Sequence, residues 1–193
     1  ESRIDQDKNA KMQVIGQGVE AGVEAGASVV HSCANGLGER TGNAALEELM
    51  VCLHVLYGYD KQYDLAKLPE LGELVSRISG VPIAANKPIL GSKNFTRESG
   101  IGVDLVVKEP LAMFGTHPAL TGRTGDVVLG KKSGTASVTY HLELMGVTDA
   151  DDGAVKEILA QVKALGIQKK GLVTTDEFRV MAESAGVLKT AAE

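Results

Sequence analysis

Glu39, Arg40 and Asn43 stand close together in a loop set off by Gly36, Gly38 and Gly42, within the string Asn-Gly-Leu-Gly-Glu-Arg-Thr-Gly-Asn-Ala-Ala-Leu-Glu-Glu-Leu that runs from Asn35 to Leu49. Glu39 and Arg40 put one charge of each sign at the loop tip, and they are the candidate catalytic pair. The glycines let a backbone turn tightly and approach a ligand closely, which makes Gly36 and Gly38 candidate binding positions. Asn43 precedes an amphipathic stretch whose first turns carry Glu47 and Glu48, charges that suit the positive end of a helix dipole. Two readings stay open on these residues alone: a loop that handles a ligand, or a plain turn with Asn43 as N-cap.

Such a loop needs elements to hold it. Ala27 to Cys33 is an apolar, β-branched run that reads as a buried parallel strand. Leu46, Leu49, Met50, Leu53 and Tyr57 then recur at helical spacing up to Gly58. Upstream, Met12, Ile15, Val19, Val23 and Ala27 form another helical stripe, weakened by Gly16, Gly18 and Gly22. Downstream, Leu65 to Ile78 predicts a helix starting near Pro69 and closed by Gly80. Strand, charged glycine-rich loop and helix make one βα unit, the kind of unit on which α/β enzymes place chemistry.

From Asn86 the texture changes. Phe95 to Gly102 is polar and glycine-rich without clear periodicity. Asp126 to Leu129 reads as a short strand, stopped by Gly130-Lys131-Lys132-Ser133-Gly134. Three helices follow: one carrying Val138, His141, Leu142 and Met145, one from Thr148 to a Gly166 cap, and one from Thr175 to Gly186, with Phe178, Met181 and Ala182 facing inward. They predict a small helical module. Lys189 to Glu193 reads as a frayed tail.

Composition excludes several classes. The chain has 193 residues and a net charge of −5, with both signs scattered, which argues against nucleic-acid binding. No apolar run approaches the roughly 18 residues of a membrane span, and the N-terminus lacks a signal-peptide core. A soluble, cytoplasmic protein is the expectation. Cys33 and Cys52 lie in apolar runs without paired spacing, as free thiols do. His31, His54 and His141 fall on predicted elements and read as packing or surface residues, whereas His117, beside Pro118, reads as an exposed loop residue.

The string Asn35–Leu49 resembles the signature after the last barrel strand of the isopropylmalate and homocitrate synthase family, metal-dependent TIM barrels that condense an acyl-CoA with a 2-oxo acid. Asn86-Lys87-Pro88-Ile89-Leu90-Gly91 resembles the segment leaving that barrel. Phe95 to Asp104 resembles the family's Phe-x-His-x-Ser-Gly-Ile-His-x-Asp, and Leu129 to Gly134 its Leu-Gly-Lys-His-Ser-Gly. The likeness runs from about residue 7 to about residue 187. It implies an α/β fold in which residues 1–85 are the last βα units of a TIM-type (β/α)₈ barrel. Residues 86–187 would then form a linker and a mostly helical C-terminal module, part of which covers a partner subunit's active site in the family.

The resemblance also places Asn43 in the shell of a divalent metal. Lys131 and Lys132, with Arg123, either neutralise a CoA phosphate or substrate carboxylate or form a solvated patch. The departures are specific. The metal-binding His-x-His falls on Asp7-Lys8-Asn9, whose oxygens suit harder and more weakly bound ions. The histidine that polarises the reacting carbonyl falls on Gly102, and the other motif histidines fall on Arg97 and Lys132. The family's first strand, with its Asp, Arg and Glu, has no counterpart. The implied function is the C-terminal subunit of a split condensing synthase. It would use acetyl-CoA or another acyl-CoA and a small-molecule 2-oxo acid, beside a second chain that carries the rest of the barrel. The alternatives are a catalytically silent regulatory or binding homologue and a segment of a longer polypeptide.

Overall fold

The computed structural model describes residues 21–59 and 63–188, which divide into two compact units. The first holds residues up to Asn94 together with Pro118–Arg123; the second holds Phe95–His117 and the chain from Thr124 onward. The readings that rest on residues 1–20, Asp7 and Asn9 among them, and on residues 189–193 lie outside the described residues.

In the first unit, α1 spans Leu46–Tyr57 and α2 spans Leu68–Ser79. Both end where expected, on glycines that take the left-handed conformation L side chains avoid: Gly58 at φ 61° and Gly80 at φ 71°. A short 3-10 turn, Leu65–Lys67, leads into α2, and the Asp64 side chain accepts the Ala66 N–H to start it. α1 packs on two sides. Val51 joins Leu65, Leu68 and Leu90 in one cluster, and Leu49 joins Ala44 in another, with Val30 and Leu53 against it.

The expected buried strand at Ala27–Cys33 does not form. Among the described residues its only pairing is an isolated parallel bridge between Cys33 and Ala45, and Val29 is 72% exposed. β-branched composition favours extended backbone, but a parallel strand also needs neighbours to receive its hydrogen bonds. Among the described residues nothing pairs with residues 27–32.

The second unit holds a two-stranded parallel sheet, β1 (Thr96–Arg97) and β2 (Asp126–Val127), in register Thr96 with Asp126 and Arg97 with Val127. The short helix α3 spans Val103–Lys108, and α4, α5 and α6 span Thr135–Leu144, Asp152–Gln168 and Thr175–Ser184. The last three of these helices pack into one helical cluster. Its core is Val138, Leu142, Val155, Ile158, Val162, Phe178, Met181 and Ala182, with Leu129 and Val173 closing it through a lone antiparallel bridge. α6 opens with a reciprocal capping box: Thr174 Oγ1 accepts the Glu177 N–H, and Glu177 Oε2 accepts the Thr174 N–H.

Two boundaries differ from expectation. α5 begins at Asp152 rather than at Thr148, because the Asp151 carboxylate accepts the N–H groups of Gly153 and Ala154 at 2.8 and 3.0 Å. A charged acceptor at the positive helix end outbids a hydroxyl. Gly166 is no cap; it lies inside α5, buried, where a Cβ would come within 2.9 Å of the Lys131 backbone nitrogen. No helix among the described residues is long and apolar enough to cross a membrane.

His141 shows how α4 meets β2. Its Nε2 lies 2.6 Å from the Val127 carbonyl oxygen, and its ring packs against Tyr140 and Phe178. Burial holds the imidazole below its usual pKa, although the Val127 carbonyl and the Asp126 charge pull the other way. The unfolded chain therefore takes up its proton at higher pH than the folded one. This contribution to stability is complete above about pH 6.5 and is lost as pH falls through the folded value. Urea unfolding of the second unit should show a lower midpoint at pH 5.5 than at pH 7.5. His141→Gln should shrink that difference, and a midpoint that rises on acidification would contradict the assignment.

Candidate functional site

The loop from Cys33 to Ala45 closes on itself. Cys33 N–H donates to the Ala44 carbonyl at 2.9 Å and Leu46 N–H to the Cys33 carbonyl at 3.0 Å, so the loop's two ends are clipped together. Between them Ala34–Gly36 makes a 3-10 turn in which Asn35 is left-handed, at φ 60°. Asn43 is the internal latch. Its N–H donates to the Gly36 carbonyl at 3.0 Å, and its Nδ2 donates to the Leu37 carbonyl at 2.8 Å and to Cys33 Sγ at 3.3 Å.

The glycines are required by this closure. A Cβ on Gly38 would collide with the Asn43 amide, and one on Gly42, at φ 101°, would collide with the Gly36 carbonyl oxygen. The N-cap reading of Asn43 is thus corrected. Ala45 stands at the cap position of α1 with no side-chain cap, and the Asn43 amide serves the loop. With Nδ2 committed to Leu37, Oδ1 is the Asn43 atom left to meet a cation. Glu39 and Arg40 are exposed at the loop tip, and Arg40 is left-handed at φ 58°.

Beneath the loop lies a polar layer that sequence reasoning missed. Glu47, assigned above to the helix dipole, is only 2% exposed, and its Oε2 accepts the Asn35 N–H at 3.0 Å. Asn35 Nδ2 donates to the Gly72 carbonyl of α2 at 2.9 Å. Lys87 Nζ hydrogen-bonds Glu48 at 2.8 Å and lies 3.1 Å from Glu47 Oε1, an ion-pair distance without hydrogen-bond alignment. Burial pulls Lys87 down, but the hydrogen bond to Glu48 and the charges of Glu47 and Glu48 outweigh it and hold the ammonium above its usual pKa. The one available signal was a lysine inside the Asn86–Gly91 motif facing two adjacent glutamates, and spacing alone does not pair residues so far apart.

Lys131 and Lys132 belong to the second unit, whereas Gly36, Gly38, Glu39, Arg40 and Asn43 belong to the first. Both lysine side chains are exposed. The second unit does join its two motifs. Lys132 N–H donates to Glu98 Oε1 at 3.0 Å, and Ser133 Oγ accepts the Gly130 N–H at 3.0 Å. Gly100 and Gly134 cross so closely that a Cβ on Gly100 would lie 2.5 Å from the Gly134 Cα. Gly102, in the position of the carbonyl-polarising histidine, is left-handed at φ 81°, and a Cβ there would press on Met113 Sδ at 3.1 Å. The backbone at this position is shaped for glycine, so a side chain is disfavoured as well as absent.

No group of three or more His, Cys, Asp or Glu among the described residues could hold a metal ion. Asn43 Oδ1 is a single oxygen donor, and one such ligand does not make a divalent site. The described residues therefore do not constitute a metal centre, although Asn43 could join one completed elsewhere.

Comparisons with known proteins match both the stretch that holds this loop and the stretch that holds the crossed glycines. The HMGL-like family model matches residues 15–75, and a model described as homocitrate synthase post-HMGL domain-like matches residues 89–170. The chain is 43% identical to a putative (R)-citramalate synthase of Methanosphaerula palustris, over 85% of this chain and 32% of that protein. It is 44% identical to a homocitrate synthase of Methanocaldococcus jannaschii, over 84% of this chain and 39% of that protein. It is 42% identical to a probable 2-isopropylmalate synthase of Ignicoccus hospitalis, over 84% of this chain and 40% of that protein. The chain belongs to the isopropylmalate/homocitrate synthase family. It spans well under half the length of these relatives.

Proposed function

We propose that the chain supplies the last barrel loop and the C-terminal module of a synthase that condenses an acyl-CoA with a 2-oxo acid. A barrel-bearing partner chain would provide most of the metal ligands. The observation that carries the reading is the Asn43 latch: its Nδ2 is spent on the loop, and the loop's glycines are required to fit around it. In this reading Oδ1 meets the metal. The metal would polarise the 2-oxo acid's carbonyl. This chain's own part is to fix Asn43 and to present Glu39 and Arg40 beside it, charges suited to a proton and a carboxylate. In the second unit Lys131 and Lys132 are exposed cations suited to phosphate.

Partner dependence has physical support in the first unit. Val23, Ala27, Val30, Leu46, Leu49 and Leu53 line an apolar groove of about 840 Å³. The relatives carry most of their length beyond the matched region, and their barrel portion is the occupant that fits. A second reading, a catalytically silent homologue, draws support from Gly102, because its φ and the Met113 contact disfavour a polarising side chain there.

Asn43 variants test the first reading in the assembled complex. Asn43→Ala should lower activity by about 10- to 100-fold, the usual effect of losing a ligand or a group that orients one. Asn43→Asp keeps Oδ1 but replaces the Nδ2 donor with an acceptor facing the Leu37 carbonyl, so it should both loosen the loop and lower activity. Wild-type turnover in both variants, with assembly intact, would remove Asn43 from the chemistry.

A further inference from the structure

The layer beneath the loop suggests a positioning device, an inference that rests on the functional reading of Asn43. A carboxylate at the start of a helix ordinarily keeps its solvent, as Glu70 of α2 does. Glu47 does not: it is buried, and burying a charge is unfavourable unless partners compensate it. Its partners come from two places in the first unit, both away from its own helix. Asn35 N–H reaches it from the loop, Lys87 Nζ from the Asn86–Gly91 segment, and the backbone of α1 carries it.

The contact with Asn35 matters most because Asn35 is left-handed. At φ 60° and ψ 6° it occupies a region that asparagine enters more readily than most side chains but that still favours glycine, so hydrogen bonds from its surroundings help to hold it there. Glu47 holds its N–H, and Gly72 holds its side-chain amide. α2 comes close enough for the second bond because Gly72 lacks a side chain; a Cβ there would lie 3.1 Å from Asn35 Oδ1 and 2.7 Å from Leu90 Cδ1. Directly after Asn35 come the carbonyls of Gly36 and Leu37, the two that receive the N–H and Nδ2 of Asn43. The path from Glu47 to the Asn43 amide therefore runs through two left-handed residues, Asn35 and Gly36, and the carbonyls of Gly36 and Leu37.

We propose that Glu47, neutralised by Lys87, is the positioning residue of this site: by fixing Asn35 it sets the carbonyls that orient the Asn43 side chain. Lys87 places the charge balance of the loop in the hands of the segment that leaves the barrel region. Glu47 itself touches no substrate; it acts through Asn35.

Two variants of the full chain test this by NMR and, in the assembled complex, by kinetics. Glu47→Gln keeps the shape and an acceptor oxygen but removes the charge facing Lys87. Asn35→Gly removes the tether to Gly72 while fitting φ 60° without strain, so it is the variant that folds if Glu47→Gln does not. In each, the Asn43 side-chain amide protons should move toward free-amide shifts, and exchange of the Asn43 backbone N–H should quicken at least tenfold. Methyl signals of Ile158 in the second unit should stay in place. In the complex kcat should fall about 10- to 100-fold with KM for the acyl-CoA little changed. A Glu47→Asp variant keeps the charge but should still move the Asn43 amide signals, because the shorter side chain misses Asn35. Unmoved Asn43 amide signals in both Glu47→Gln and Asn35→Gly would overturn the proposal. Signals that move while kcat stays put would uphold the positioning and sink the catalytic reading of Asn43 instead.

Discussion

Lys87→Met is expected to destabilise the first unit by about 3 to 5 kcal/mol, the usual result of stranding one member of a buried ion pair. Glu47 keeps only 3% of its side chain exposed, and Lys87 Nζ lies 3.1 Å from it. Removing the ammonium leaves the carboxylate buried with the Asn35 N–H as its compensation. The lower end of the range applies, because Glu48, Lys87's other partner, is 31% exposed and regains water readily. The effect should show in urea unfolding as a lower midpoint with an unchanged slope. The double change Lys87→Met with Glu47→Leu should recover most of the loss, since apolar replacement of a whole buried pair is often neutral. A loss under about 1 kcal/mol in the single variant would mean that the pair is solvated.

Phe178→Ala should cost the second unit about 3 to 5 kcal/mol. The ring is fully buried among the helices α4, α5 and α6, and it packs on the His141 imidazole at 5.5 Å between centroids. Its removal leaves a cavity bounded by Ile158, Val138 and Leu142, residues already on firm helices that collapse poorly. For a unit of under a hundred residues that corresponds to a fall in melting temperature of about 12 °C or more. Calorimetry of the variant measures it, and a shift of about 3 °C or less would place Phe178 outside the core.

Much of the fold was legible because its punctuation is chemical. Gly58, Gly80 and Gly186 end helices in the sequence and do so in space, at positive φ, since glycine alone tolerates that turn cheaply. Phe178, Met181 and Ala182 faced inward as their spacing required. What failed was whatever depends on a partner. Ala27–Cys33 has strand composition but finds no strand to pair with among the described residues. Phe95–Gly102 showed no period because β1 is two residues long and gains its identity from β2, far along the chain. Asn43 looked like a cap because asparagine before a helix usually is one. Only the folded loop, with the Leu37 carbonyl 2.8 Å from Nδ2, shows the competing use. Glu47 looked like a dipole partner for the same reason, and the cation that faces its buried carboxylate, Lys87, lies far along the chain.

The central claim is that this chain contributes to a condensation it does not complete alone, and release of free thiol from acetyl-CoA tests it most directly. The assay takes pyruvate, 2-oxoisovalerate, 2-oxoglutarate and oxaloacetate in turn, with divalent metal present. It compares the isolated chain with the complex formed with a barrel-bearing chain co-purified from the native source. The expected result is no thiol release by the isolated chain with any of the four, and turnover by the complex with at least one. Turnover by the isolated chain would contradict the account, and so would a complex that binds tightly yet releases no thiol with any 2-oxo acid.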